Sequence, residues 1–165
     1  MAHPLSRPDM IEAEAISRFL DIAYMVDVPV HIVHLSTQKG LECIRRARKR
    51  GQRVYVETCP QYLLLDEKLY HLKQFESAKY VLSPPLRSKQ DQEALWEGIQ
   101  EGEIQTISTD HCAFNFESQK KIGIDDFTQI PNGIPGIEHR PQLIYSYGVT
   151  KGRLSLQEMA HLLST

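Results

Sequence analysis

Two residues of metal-ligand type stand at the ends of apolar runs in this sequence. His34 comes near the end of VPVHIVHL, and Asp110 follows IQTIST. Imidazole nitrogen and carboxylate oxygen are both common ligands of catalytic zinc. An aspartate can also take a proton from a metal-bound water and pass it to a leaving amine. A catalytic zinc normally has three protein ligands plus water, so this pair indicates a metal site without establishing one.

Other reactive side chains are weaker candidates for a metal-binding or catalytic role. His111 and Cys112 follow Asp110 directly, but neighbours on an extended chain point to opposite faces, so both are left out of the predicted metal shell. Cys43 and Cys59 have no paired base. Three cysteines without CxxC spacing fit reduced thiols in a cytoplasmic protein. A lone histidine such as the one before Leu35 is more often a core residue than a metal ligand. A lone aspartate at the end of a strand more often caps a turn than binds a metal.

The elements that must position these residues alternate between helix and strand. Strands are predicted at 28–35, 54–58 and 104–111, and an extended piece at 79–87. Helices are predicted to start at Pro8 or Asp9, at Ser36 or Thr37, and at Ser88, to stop at Gly51 and Gly102, and to occupy 137–149 and 154–164. Strands separated by helices indicate βαβ units and a parallel sheet. All three predicted strands end in polar residues, at His34, Glu57–Thr58 and Asp110–His111. In parallel α/β folds, the catalytic and binding residues lie at these carboxyl ends of the strands.

The apolar spacing also predicts which surfaces are buried. Leu41, Ile44 and Ala47 are predicted to be buried on one side of the second helix. In the first helix, apolar residues recur at helical spacing at Ile11, Ala15, Phe19, Ile22 and Ala23. The strand at 28–35 has an almost continuous apolar run, which predicts cover on both faces. The basic run RRARKR, residues 45–50, is interpreted as a solvated helix face.

Composition excludes several classes of protein. The chain has 165 residues, 41% of them hydrophobic, and a net charge of -2, which fits one globular domain or a piece of a larger one. A net charge this close to zero does not indicate a surface that binds nucleic acid or a membrane. No apolar run approaches the roughly 18 to 20 residues that span a bilayer. We therefore expect no nucleic-acid or membrane partner, and a cytoplasmic location.

Six stretches of the sequence occur in a characteristic order. They are RPDMIEAEAI, VHIVHLST, VYVETCPQYLLLD, YVLSPPLR, STDHCAFNF and DFTQIPNGIPGIEHR. Together they resemble the D-hydantoinase and dihydropyrimidinase family, which are cyclic amidases of the amidohydrolase superfamily. The pairing of ETCPQYL with IPNG is specific to that branch, whereas TDH is shared more widely. The resemblance runs from about Arg7 to Thr165.

The resemblance implies a function and residues that carry it. Family members hydrolyse one C–N bond of a cyclic amide, such as a 5-substituted hydantoin or a dihydropyrimidine, at two divalent metals, usually Zn²⁺ with Mn²⁺ possible. Position by position, His34 would bind one metal, and Asp110 would be a metal ligand and catalytic proton shuttle. Ser83 and Asn132 would hold the ring amide. The resemblance also implies a small-molecule substrate, a role in pyrimidine catabolism and a homotetramer.

The resemblance further implies an α/β fold that is part of a (β/α)₈ barrel. A full barrel needs about 250 residues, so residues 1–165 would form its C-terminal portion, with roughly the last three strands and their helices. The first five strands, their HxH pair, bridging carboxylated lysine and further histidine, and a small β-sandwich domain would be absent. We therefore expect the chain alone to be inactive, with an open sheet edge that favours association.

Two alternatives lie outside the hydantoinase branch. An allantoinase or dihydroorotase is compatible with TDH, but ETCPQYL with IPNG favours a hydantoinase or dihydropyrimidinase. A non-catalytic dihydropyrimidinase-related assembly protein is the second alternative. Because His34 and Asp110 both stand at ligand positions, the sequence favours the catalytic type.

Overall fold

A computed structural model describes residues 2–164 of the chain. Its helices are α1 (Ala2–Leu5), α2 (Asp9–Met25), α3 (Gln38–Lys49), α4 (Pro60–Leu64), α5 (Lys89–Gln100), α6 (Arg140–Ile144) and α7 (Leu156–Ser164). Its strands are β1 (Val30–Ile32), β2 (Val54–Thr58) and β3 (Thr106–Ile107). Short 3₁₀ turns occupy Glu67–His71, Glu76–Tyr80, Lys120–Gly123 and Phe127–Gln129, and a π-helical turn occupies Tyr145–Val149.

The three strands form one parallel sheet in the order β1-β2-β3. Val30 lies beside Val54, and Thr58 lies beside Ile107. Helix α3 connects β1 to β2, and α4 and α5 lie between β2 and β3. Parallel neighbours need such crossovers, so the predicted α/β fold with a parallel sheet is confirmed. That these strands are the last three of a barrel stays a prediction.

Helix α3 begins and ends where the sequence predicts. The Thr37 hydroxyl accepts a hydrogen bond from Gly40 N at 3.0 Å and caps the helix. Gly51 follows the helix with φ of 88°, a left-handed conformation that favours glycine. The predicted buried positions are correct, because Leu41, Ile44 and Ala47 are each 0% exposed.

Helix α5 also begins at its predicted cap. Ser88 Oγ accepts from Asp91 N at 3.2 Å, and the Asp91 carboxylate accepts from Ser88 N at 3.2 Å. This reciprocal capping box satisfies two amides that have no partner inside the helix. Pro141 lies in the first turn of α6, which spans fewer residues than the helix predicted at 137–149 because a π-helical turn follows it.

Two of the predicted strands are shorter in the structure. The 28–35 run contains only β1, and the 104–111 run contains only β3. Burial alternates along β1, where His31 is exposed and Val33 beyond it is 45% exposed, so the prediction that both faces are covered is wrong. The chain leaves the strand direction at His34 and Asp110, because both have positive φ. The extended piece predicted at 79–87 likewise begins later, since Glu76–Tyr80 forms a 3₁₀ turn.

Helix α2 forms as its apolar spacing predicts, but the residues that carry the spacing are mostly exposed. Its buried residues are Ala13, Ile16, Leu20 and Ala23, so only Ala23 belongs to both sets. Ile11, Phe19 and Ile22 are 53%, 48% and 52% exposed. The helix therefore carries two apolar stripes, and only the stripe that faces the rest of the described chain is covered.

The basic run of α3 is partly paired rather than simply solvated. Arg45 Nε lies 2.9 Å from Glu103 Oε1, and Arg48 Nη1 donates to Glu103 O at 2.8 Å. Arg46 and Lys49 are exposed, as the solvated-face interpretation predicts. Separately, no helix among residues 2–164 is long and apolar enough to cross a membrane.

We predict that Ile44→Val destabilises the protein by about 1 kcal/mol, because it removes a methylene group from a fully packed site. Ile22→Val in α2 is the matched control, since Ile22 is half-exposed. Urea unfolding of both variants measures the difference. Equal losses of stability at the two positions would contradict the burial described here.

Candidate active site at the carboxyl ends of the strands

His34 and Asp110 both stand just beyond the carboxyl ends of parallel strands. His34 comes two residues after β1, and Asp110 comes three residues after β3. Their φ angles are 42° and 46°. Residues other than glycine seldom adopt this left-handed conformation, and those that do collect at functional sites. The chain therefore turns sharply at each predicted ligand.

Side chains from the central strand and the helix after it bind the backbone next to both predicted ligands. Thr58 Oγ1 donates to Leu35 O at 2.7 Å. Gln61 Nε2 donates to Thr109 O at 3.1 Å. Thr58 is fully buried, so its hydroxyl needs a protein partner. These two bonds tie the turns at the ends of β1 and β3 to the middle of the fold.

A cavity of about 600 Å³ lies beside the end of β1. His34 and Ser83 both line it, together with part of α2 and the prolines at 84–85. Asp110 and Asn132 do not belong to its lining, and both are exposed. The structure thus brings a predicted metal ligand and a predicted substrate-binding residue to one cavity.

The two predicted substrate-binding residues contact each other. Ser83 Oγ donates to Asn132 Oδ1 at 2.9 Å, although the residues are 49 positions apart in sequence. The backbones beside them are also joined, because Gly133 N donates to Val81 O at 3.0 Å. Gly133 has φ of 149°, and a side chain there would come within 2.5 Å of Cys112 O. This position therefore requires glycine.

A buried polar network holds the turn that follows His34. The Glu12 carboxylate accepts from Ser36 N at 3.1 Å and from Ser36 Oγ at 2.8 Å, and also from the Thr37 hydroxyl. Arg87 Nε donates to Ser36 Oγ at 3.1 Å. Burial raises the pKa of Glu12 above its usual range, against the lowering effect of the bonds from Thr37 and Ser36.

Sequence reasoning did not single out Glu12, Gln61 or Arg87. A signal for Glu12 was present, because it precedes Ile16 by four positions and so falls on the buried stripe of α2. An acidic residue there needs partners. Gln61 and Arg87 gave no comparable signal, since their partners are backbone atoms or a hydroxyl from distant parts of the chain.

The residues present fit part of a catalytic metal site. His34 and Asp110 supply a nitrogen and an oxygen ligand, which zinc accepts. Within residues 2–164, no three His, Cys, Asp or Glu side chains cluster closely enough to hold a metal ion. The assignment of His34 and Asp110 as metal ligands, and of Asp110 as a catalytic residue, therefore stays a prediction.

The other candidates at this edge have different partners. His111 Nδ1 accepts from Gly136 N at 3.1 Å. Burial raises the pKa of Cys59 to about 12. A thiol with this pKa stays protonated near neutral pH and is a poor nucleophile.

The layout as a whole is that of a parallel α/β protein with a candidate ligand site at one edge of its sheet. The residues of ligand type lie beyond the carboxyl ends of strands, where such folds bind their ligands, and a cavity lies alongside.

Comparison with known proteins relates the chain to one family. No family model matches the sequence. The D-phenylhydantoinase of Escherichia coli O1:K1 is 48% identical over 163 residues, which are 98% of this chain and 35% of the relative. The D-hydantoinase structure from Bacillus sp. AR9 has a TM-score of 0.97 at 45% identity, covering 99% of this chain and 35% of that one. The dihydropyrimidinase from Brevibacillus agri NCHU1002 has a TM-score of 0.95 at 44% identity, with 97% and 35% covered.

The chain is therefore homologous to one segment of the D-hydantoinase and dihydropyrimidinase family, whose members are cyclic amidases. It spans about a third of the length of these relatives, 35% in each case. The resemblance predicted from the sequence is thus confirmed.

We predict that Glu12→Gln changes how stability depends on pH. Because burial raises the pKa of Glu12 above 4.5 in the folded protein, the folded state binds this proton more tightly than the unfolded state. The wild-type free energy of unfolding, relative to the variant, should therefore fall as pH rises from 4.5 through the folded pKa.

Urea unfolding at a series of pH values measures this difference. Glu14→Gln is the matched control, because Glu14 lies on the same helix in an exposed pair with Arg18. A constant difference between wild type and Glu12→Gln across the series would contradict the prediction.

Proposed function

We propose that this chain is part of a metal-dependent hydrolase that opens cyclic amides, either 5-substituted hydantoins or dihydropyrimidines. The observation that carries the proposal is the 48% identity over 163 residues to a D-phenylhydantoinase. The relatives compared above are named hydantoinases or dihydropyrimidinases. These names support this branch over an allantoinase, a dihydroorotase or a non-catalytic relative.

In this proposal the chain forms the last three strands of a (β/α)₈ barrel, and residues 1–165 belong to its C-terminal portion. The other five strands and the β-sandwich domain would be supplied from outside these residues. Three observations support this arrangement: the parallel order of the sheet, the outer edge of β1, which pairs with no other strand of residues 2–164, and the exposed stripe of α2. Strands in a closed barrel have no free edge.

His34 and Asp110 would bind the metal in the complete site. Two divalent metals, zinc or manganese, would activate the attacking water and polarise the ring carbonyl. Asp110 would accept the proton that the water loses as its oxygen bonds to the carbonyl carbon. It would then deliver this proton to the ring nitrogen as the C–N bond breaks.

Ser83 and Asn132 would hold the ring amide during this step. The two side chains lie 2.9 Å apart, so backbone or side-chain groups of both residues can reach one planar ring amide. A cyclic amide presents a carbonyl oxygen and an N–H on adjacent atoms, which match a hydrogen-bond donor and an acceptor. The homotetramer, the cytoplasmic location and the role in pyrimidine catabolism stay predictions.

We predict that the 165-residue chain alone does not hydrolyse 5-phenylhydantoin or dihydrouracil at an enzymatic rate, with or without added Zn²⁺ or Mn²⁺. The physical reason is that catalytic zinc takes three protein ligands, whereas this site has two candidates. The rate of hydrolysis is measured by chromatography of the ring-opened product. Robust turnover that Asp110→Ala abolishes would overturn the prediction.

A segment exchange tests the proposed function directly. The matching segment of the E. coli D-phenylhydantoinase is replaced by residues of this chain, and turnover of both substrates is measured in the chimera. We expect activity, and a loss of at least about a hundredfold for His34→Ala and for Asp110→Asn, because the first removes a metal ligand and the second removes the proton shuttle.

Matched controls separate these losses from general damage. His71→Ala and Asp125→Asn change exposed residues of the same types away from the candidate site and should keep the activity of the unmodified chimera. A folded chimera without turnover would overturn the proposal. Full activity of His34→Ala or of Asp110→Asn would do the same.

A further inference from the structure

Lys120 is a buried lysine whose ammonium binds three carbonyl oxygens. The residue opens a 3₁₀ turn in the loop after β3 and is only 2% exposed. Its Nζ donates to Val81 O at 2.7 Å, to Pro131 O at 2.6 Å and to Gly133 O at 2.8 Å. A lysine ammonium has three N–H donors, so all of them are used within this group, which we call the Lys120 cluster.

The three carbonyls flank the two predicted substrate-binding residues. Pro131 and Gly133 lie on either side of Asn132, and Val81 lies two residues before Ser83. Lys120 therefore binds both segments at once. The segments are also joined directly, by Gly133 N to Val81 O at 3.0 Å and by the bond between the two side chains at 2.9 Å.

A second buried side chain holds the same segment. His3, 1% exposed and part of α1, donates from Nε2 to Leu82 O at 2.8 Å. Val81 and Leu82, the two residues before Ser83, thus both have carbonyls bound by buried cationic or imidazole groups. Neither α1 nor Lys120 was singled out from the sequence, because both contacts join residues far apart along the chain.

No acidic side chain of residues 2–164 lies within ion-pair distance of the Lys120 ammonium. The Cys112 thiol raises the pKa of Lys120, the Lys120 charge in turn lowers the pKa of the His3 imidazole, and the Phe114 ring lies 5.4 Å away. Burying a cation beside carbonyl dipoles instead of a carboxylate is costly. An exposed loop lysine would avoid this cost, so the buried position needs another explanation.

We propose that Lys120 is a positioning residue for the substrate site, which fixes the distance and orientation between Ser83 and Asn132 by binding the backbones of both segments. This inference rests on the proposed function, since it takes these two residues to hold the ring amide. Lys120 itself lies behind the segments and does not touch the substrate. Lys120 therefore affects substrate binding. It takes no part in the proton transfer, which is assigned to Asp110.

The position of Lys120 also makes the cluster sensitive to pH. Burial lowers its pKa to about 8. A neutral amine keeps two N–H groups, so one of the three carbonyls loses its donor when the proton leaves. The two segments should therefore be held less firmly as pH rises through about 8.

The first test measures how firmly the Lys120 cluster holds the two segments, and it does not depend on catalysis. Amide hydrogen exchange of the 165-residue chain is followed at Gly133, whose N–H binds Val81 O. We expect Lys120→Met to increase exchange at Gly133 at least about tenfold, because the aligned carbonyls lose their donors. Lys121→Met is the matched control, since Lys121 pairs with Glu117 at the surface. The amide of Leu35, bound to Glu57 O, is the internal reference.

A second measurement needs no variant and so remains valid if Lys120→Met does not fold. In the wild type, protection of Gly133, corrected for the intrinsic rate, should fall as pH passes about 8, while protection of Leu35 stays constant. Unchanged protection of Gly133 in this series would overturn the proposal.

Kinetics of the segment-exchange chimera test the effect on substrate. Lys120→Met should raise KM about tenfold or more and leave kcat within a few fold, because ring binding is lost while the proton shuttle remains. A change in exchange without a change in KM would mean that the cluster does not position the substrate site, which overturns the proposal. An inactive wild-type chimera would overturn the proposed function and, with it, the substrate role of Lys120, whatever the exchange shows.

Discussion

The candidate site depends on buried polar side chains that bind the backbone of the loops after each strand. A buried N–H, hydroxyl or ammonium must find a partner inside the protein, and a loop carbonyl is the partner for Thr58, Gln61 and Lys120. The strands themselves are short, and β3 has only two residues. Side-chain contacts of this kind therefore help to hold the residues beyond the strands in place.

The elements of the fold were largely predictable from the sequence, because they depend on local signals. Caps such as Ser88, the glycine at 51 and the alternation of helix with strand act over a few residues. The sequence did not show which apolar surfaces are covered by neighbouring elements. The spacing of Ile11 and Phe19 shows that a stripe is apolar, but not whether a neighbour covers it, and in α2 the neighbouring stripe is the buried one.

The candidate site was less predictable from physical reasoning alone. His34 and Asp110 could be proposed from their places at strand ends, but Ser83 and Asn132 came only from the family resemblance. Their contact joins residues 49 positions apart, and no local pattern encodes such a distance. Lys120 was missed for the same reason: in a polar loop, a lysine that binds three backbone carbonyls has the same sequence signature as one that faces solvent.

The close approach at Gly133 limits how this site could evolve. With no room for a side chain against Cys112, the segment that carries Asn132 cannot move towards the segment that carries Asp110, and any larger residue would push the two apart. The packing at this glycine thus fixes how far apart the two segments stand.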